Sequence, residues 1–253
     1  MKKALMVLLV VVFVVIVSNA YAQGPTIKAY PYLYKSPRAM GMGGAYVAIG
    51  GRTDSVFYNP AGLSAMPEDN WEVNLLGLSA EIGKNSIDFV NDLSDALDTG
   101  DLDGDGDEGD DQMRAVNDVL AQYRGENLHL GMQDLTSFGR NFGSMAIALG
   151  GVGTFRLDAM THQGFGSNGL LEINGDLTAG GFLSLSARLM DGLYLGGTVK
   201  GLHREALVHS FTARELVEKQ DNLSDYITDE LRQSGDAVGF DLGLLYRMED
   251  SSL

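Results

Sequence analysis

The sequence predicts an all-β protein, an antiparallel up-and-down transmembrane β-barrel of partial extent with helical insertions. Three observations carry that expectation: long stretches that alternate with period two, connections of alternating length, and an export-type leader. The clearest stretch is "DAVGFDLGLLYRM", Asp236 to Met248. Val238, Phe240, Leu242, Leu244, Tyr246 and Met248 share one face. Ala237, Gly239, Asp241, Gly243 and Arg247 share the other, with Leu245 the exception. A period of two is the strand signature.

The remaining strands follow in order. They are expected near 71–82, 127–138, 142–161, 169–189, 193–210 and 236–248. In "GGFLSLSARLM", Leu183, Leu185, Ala187 and Leu189 oppose Ser184, Ser186 and Arg188. In "NLHLGMQ", Leu128, Leu130 and Met132 oppose Asn127, His129, Gly131 and Gln133. In "SMAIALGG", Met145, Ile147 and Leu149 oppose Ser144, Ala146 and Ala148. A soluble sandwich alternates too, so loop lengths decide. The turns at Gly139–Asn141 and Met190–Gly192 are short, and the insertions at 83–126 and 211–235 are long. If strands run up and down, both tight turns fall at one end, as in outer-membrane barrels. Leu183, Leu185, Leu242, Leu244 and Tyr246 are then expected to face lipid. Several strands exceed the ~9–11 residues that cross a bilayer, so they project beyond it.

The leader is residues 1–22. Lys2 and Lys3 precede an apolar run from Ala4 to Val17, and Ala20-Tyr21-Ala22 supplies a small-x-small cleavage site. That is the plan of a secretory signal peptide, and the run is shorter than a spanning helix needs. The chain has 253 residues, a formal charge of −16 and no cysteine. The missing cysteine excludes a lipid anchor after the leader and a disulfide-stapled domain. The acidity argues against nucleic acid as a partner.

Residues 23–70 contain "SPRAMGMGGAYVAIGGRTDSVFYNPAGLSAMP", too rich in glycine for an ordinary core element. The pieces Arg38 to Ala45 and Phe57 to Leu63 resemble the N-terminal signature of FadL-type outer-membrane transporters of hydrophobic compounds. The likeness is closest to the PorV-like and TraF-like branch, and "GFDLGLLYR" is similar to one of its strands. The resemblance implies that this segment is a hatch inside the barrel formed by 71–253. Its gating residues would be Arg38, Gly41, Gly43, Gly44, Asn59, Pro60, Ala61 and Gly62. It implies residence in the outer membrane of a Gram-negative-type cell and passive uptake of a lipid-like ligand. The alternative within the same resemblance is a barrel serving secretion or envelope assembly through protein partners. A soluble calcium-binding β-protein comes third. Such barrels have about twice the strands counted here, and the chain ends in the polar "YRMEDSSL", so it reads as truncated.

Local motifs add a calcium expectation and exclude most chemistry. "DLDGDGDEGDDQ" fits a calcium loop, with Asp101, Asp103 and Asp105 as side-chain ligands, Asp107 by its carbonyl, and Gln112 where glutamate is expected. Apolar residues at helical spacing flank it: Phe89, Leu93, Ala96 and Leu97 before, Met113, Val116, Val119 and Leu120 after. The bland alternative is a solvated acidic loop. Thr212-x-x-Glu215 opens a helix with an apolar stripe of Leu216, Leu223, Ile227 and Leu231, expected on the barrel rim. "GFGSNG" (Gly164 to Gly169) opens no helix and so fails the dinucleotide context. No zinc-protease, nucleophile-elbow or P-loop pattern occurs, so no enzyme is expected.

Overall fold

The computed structural model describes residues 33–100, 107–163 and 169–248, all within one unit. The leader, Asp101, Asp103, Asp105 and most of "GFGSNG" lie outside the described residues. A single antiparallel sheet organises the rest. Its strands are β1 (Trp71–Asn74), β2 (Ser79–Ile82), β3 (Asn127–Asn141), β4 (Met145–Gln163), β5 (Gly169–Met190), β6 (Leu193–Thr212) and β7 (Gln233–Tyr246). The order is β1-β3-β4-β5-β6-β7, with β2 also on β3. β1 takes Ser137–Arg140 of β3 and β2 takes Leu130–Gln133. The up-and-down order matches the expectation. Closure does not follow: the sheet is open between β7 and the β1/β2 edge.

Two strand boundaries differ from the sequence reading. The expected strand at 71–82 breaks at Leu75–Leu78, where Leu76 adopts a left-handed φ of 52° and Gly77 donates to the Leu135 carbonyl at 3.1 Å. The turn expected at Gly139–Asn141 falls at Phe142–Ser144 instead. Gly139 stays in register with Ala148, and the Asn141 amide is committed to the Ser64 and Met66 carbonyls. Such tertiary bonds outbid a local turn preference.

The N-terminal segment packs on one face of the sheet, here called inner. It holds α1 (Pro37–Gly41) and two 3-10 turns, Thr53–Phe57 and Pro60–Ala65. Pro60–Ala65 lies against β4, β5, β6 and β7, and Thr53–Phe57 against β3. Tyr34, Val56, Leu63 and Met66 share a core with Leu135, Ala146, Ala148, Val152 and Phe182. Leu245, the break in the β7 alternation, is buried at 6% exposure on this inner side. It is a core residue rather than an irregularity.

The long insertions fold as helices, as expected: α2 (Ser86–Leu97), α3 (Glu108–Gln122), α4 (Ala213–Lys219) and α5 (Leu223–Tyr226). The helix expected after Thr212 is not continuous, with a 3-10 turn at Gln220–Asn222 and a π turn at Ile227–Leu231. The helices pack on the outer face, at the long-loop ends of the strands. Phe89, Ala96, Val116, Leu120 and Leu216 bury Leu128, Leu171 and Phe211, with Ala159 and Ile173 beside them. Leu128 pairs with Ala159 and Ala159 with Ile173, so these share a face. No helix among the described residues is long and apolar enough to cross a membrane.

Candidate functional site: the N-terminal segment and the two faces of the sheet

The polarity of the sheet is inverted relative to a water-soluble one. On the outer face of its short-turn half, large apolar residues stand bare. Leu149, Leu183, Leu195 and Val199 are 44–49% exposed, and Val238, Phe240, Leu242, Leu244 and Tyr246 are 61–77% exposed. The inner face opposite carries small or polar buried residues, Ala146, Ala148, Ser137, Ser184, Ser186 and Thr198, beside the buried apolar Leu245 and the apolar Leu135, Val152 and Phe182 that meet the N-terminal segment. All five residues expected to face lipid lie on the bare outer face. This apolar stretch runs from Val238 to Tyr246 on β7 and from Leu177 to Leu189 on β5. Those spans of about nine and thirteen residues bracket the ~9–11 of a bilayer-crossing strand. At the upper end of the stretch, level with Leu177 and Ala179, His203 meets Asp236 at 2.8 Å and Arg232 meets Glu205 at 3.3 Å, a polar margin on the same face.

Small inner residues leave room for the N-terminal segment to bond to the wall. The Thr53 and Ser137 hydroxyls meet at 2.8 Å, and those of Ser64 and Ser186 at 2.6 Å. Ser186 also donates to the Ala61 carbonyl at 3.2 Å. Asn59 is extended before Pro60, as a residue preceding proline should be. Its carbonyl oxygen caps Ala61 N–H at 3.1 Å, while its amide donates to the carbonyls of Val47 and Leu244. A Cβ at Gly196 would collide with the Pro60–Ala61 backbone, and one at Gly243 with Asn59 and Pro60. Those wall glycines are the sites where close approach is required.

Asp54 anchors the segment internally. Buried at 7% exposure, it accepts from Ser36 Oγ at 2.5 Å and from Tyr46 OH at 2.9 Å. Burial, then the Asp54 charge, push the Tyr34 phenol up to about 12, and the same causes raise Tyr46. Lys200 stands over the Phe57 ring at 5.6 Å and pairs with Asp241 at 2.5 Å. Of the residues expected from the sequence, Asn59, Pro60, Ala61 and Gly62 are buried against the wall. Arg38, Gly41, Gly43 and Gly44 are exposed. Arg38 lies 5.8 Å from the Tyr46 ring, and Gly43 and Gly44 adopt positive φ with open space around them. Asp54, Ser64, Ser137, Ser186 and Asn141 were not singled out by sequence. For Ser137, Ser186 and Asn141 the signal is the small-polar side of an alternating strand; Asp54 and Ser64 lie in the 3-10 turns and carry no such periodicity.

Beyond the segment the inner face is charged. His129 contacts Asp158 at 2.6 Å and Glu81 at 3.4 Å, Lys35 reaches Glu81 at 3.8 Å, and Arg204 pairs with Asp176. In the helical cap, Asp107 Oδ1 accepts from Asp110 N–H at 3.2 Å. The Gln112 amide donates to the Leu97 carbonyl at 2.9 Å and accepts from Gln220 at 3.2 Å. Gln112 therefore ties α3 to its neighbours. Among the described residues no group of three or more acidic, His or Cys side chains is placed to hold a metal. Thr212 caps Glu215 N–H at 3.1 Å, but the Glu215 carboxylate turns to His209 and Tyr226, both at 2.9 Å, instead of closing the capping box.

The class these features define is an antiparallel meander with an apolar outer face and a polar inner face that holds an N-terminal segment. A scan against protein-family models finds no match, and searches of curated proteins and of solved structures return none.

Proposed function

We propose that the chain forms the wall and hatch of an outer-membrane β-barrel that takes up amphiphilic, lipid-like small molecules passively. The observation that carries this reading is the inverted sheet. Bare Leu, Val and Phe side chains in water would form an apolar patch larger than soluble monomers expose, whereas in lipid they need no partner. The charged inner surface around His129, Asp158 and Arg204 suits the polar end of a ligand. The Phe57, Phe182 and Leu202 cluster at the hatch suits its apolar end.

Movement of the hatch is the gating step. It is held by hydroxyl–hydroxyl and amide–carbonyl bonds, each worth about 0.5–1.5 kcal/mol, and by side-chain packing of Val56, Leu63 and Met66, none of which belongs to the strand ladder, so it can shift without breaking the sheet. The test uses the absence of native cysteine. Ser64→Cys with Ser186→Cys places two thiols where hydroxyls now meet at 2.6 Å. In proteoliposomes loaded from outside with a fluorescent fatty-acid analogue, oxidation should stop uptake and a reductant restore it. Equal uptake in both states would exclude hatch gating.

A second reading, assembly or secretion through protein partners, is favoured by Ile87 and Val90. They are 56% and 52% exposed side by side on the cap helix α2. Membrane insertion without uptake in either redox state would select it.

A further inference from the structure

We propose that Arg140 is a binding site for the phosphate oxyanion of a membrane phospholipid. The site rests on the membrane reading above and adds a ligand to it. Arg140 pairs in register with Trp71 across β3 and β1, and with Ile147 on β4, so it stands on the outer face. Its strand ends one residue later, before the Phe142–Ser144 turn. The guanidinium lies 5.1 Å from the Trp71 ring centre and 4.8 Å from that of Phe142. Both rings are themselves exposed, at 60% and 53%.

A cation clamped between rings keeps its N–H edge free, and guanidinium matches phosphate in a bidentate fork. Nε itself is buried and has no hydrogen-bond partner, while the side chain is 32% exposed, so an anion meets the terminal N–H groups. A buried charged donor without a partner is costly. The carboxylate within ion-pair distance, Asp69, is 4.0 Å away and 84% exposed, so it is a loose neighbour. Glu68 lies beside Gly143 in the same turn region, and a bound anion must tolerate both acids.

Phosphate reaches such a site either free or on a lipid. The lipid source is favoured because the outer face next to the clamp is apolar: Val73 and Phe138 pair directly beside Trp71 and Arg140 and are 53% and 40% exposed. Tryptophan and a cation at the end of a bare apolar strand are the arrangement of a membrane–water border. Acyl chains would cover Val73 and Phe138 while the headgroup phosphate meets Arg140.

Trp71 is the only tryptophan in the chain, so its emission reports the clamp directly. The full chain in a phosphate-free maltoside detergent is titrated with short-chain phosphatidylglycerol, with diacylglycerol of the same chain length, and with inorganic phosphate. Phosphatidylglycerol should shift Trp71 emission saturably and diacylglycerol should not. Arg140→Gln should weaken the response about tenfold, the loss of one charge-assisted hydrogen-bonding group. Asp69→Asn should strengthen it, and Arg140→Lys, which keeps the charge and guards against a folding defect, should fall between. Equal responses to phosphatidylglycerol and diacylglycerol, or an unchanged response in Arg140→Gln, would overturn the site. Saturation by inorganic phosphate at the same concentration would overturn the lipid assignment. Trp71 quenching by brominated lipid in vesicles tests membrane insertion separately. Failure there with phosphatidylglycerol binding retained would count against the membrane reading alone.

Discussion

The N-terminal segment and the helical cap are attached to opposite faces of the same strands by different means. The segment sits on the inner face, tied by Thr53–Ser137, Ser64–Ser186 and Asn59–Leu244 hydrogen bonds beside an apolar core of Val56, Leu63 and Met66 on Leu135 and Phe182. The cap sits on the outer face and is tied by apolar packing of Phe89, Leu120 and Leu216 around Leu171 and Phe211. Where the cap stops, the same outer face continues bare from Val238 to Tyr246. Thus the inner face combines directional bonds with burial, whereas the outer face holds the cap by burial. The apolar stripe is covered by helices at one end and left bare at the other.

The comparison breaks most readily at the cap. Phe211 has no exposed surface, and Phe211→Ala should cost about 3–5 kcal/mol. Limited proteolysis should then cut within α2, α3 and α4 while the strands and the N-terminal segment stay resistant. Simultaneous loss of both would mean the two attachments are not independent.

On the bare stretch, Leu242 is central to Val238–Tyr246 and 77% exposed. Leu242→Lys should destabilise the lipid-embedded protein by roughly 2–4 kcal/mol, read by denaturant titration in vesicles. The substitution costs a soluble protein almost nothing at so exposed a position, so no change would contradict the membrane reading.

Asp54→Ala leaves Ser36 and Tyr46 without their acceptor and should cost about 1–3 kcal/mol. The cost should appear as faster proteolysis within 36–58, with the cap unaffected.

The smallest effects are those of pH, and acid separates the two regions while alkali reaches both. Tyr34 and Tyr46 titrate above their ordinary value of 10. Their contribution to the hatch is present below pH 10 and is lost as pH rises toward 12 and beyond. Glu215 is pushed up by burial, but bonds from His209 and Tyr226 outweigh this and hold it below 4.5. Its contribution to the cap is therefore present above pH 4.5 and is lost as pH falls through its lowered value. In the cap, Tyr123 and Tyr226 are also raised, by their bonds to Asp92 and Glu215, so hydrogen exchange should show both regions loosening in alkali and the cap alone in acid.

Much of the architecture was legible because two-residue alternation survives any tertiary context. The strand at 236–248, the short turn before Leu193 and both helical insertions follow from pattern alone. The break at Leu75–Leu78 did not, since an apolar run looks continuous whether or not its backbone turns, and the bond from Gly77 to Leu135 spans distant sequence. The turn after β3 was misplaced for a similar reason: Asn141 is held in the strand by Ser64 and Met66 carbonyls. The "NPAG" run stood out by its glycine and proline content. Its partners Ser186, Gly196 and Gly243 looked like ordinary small residues until the register brought them under Asn59 and Pro60.

By itself the sequence determined the long strands and the presence of two chemically different faces, because these depend on neighbours two residues apart. Only the tertiary structure decided which face the N-terminal segment occupies, which half of the apolar face the helices cover, and that Arg140 stands between Trp71 and Phe142. Those outcomes depend on residues far apart in the chain, whose meeting is set by packing of the whole sheet and leaves no local periodicity to read.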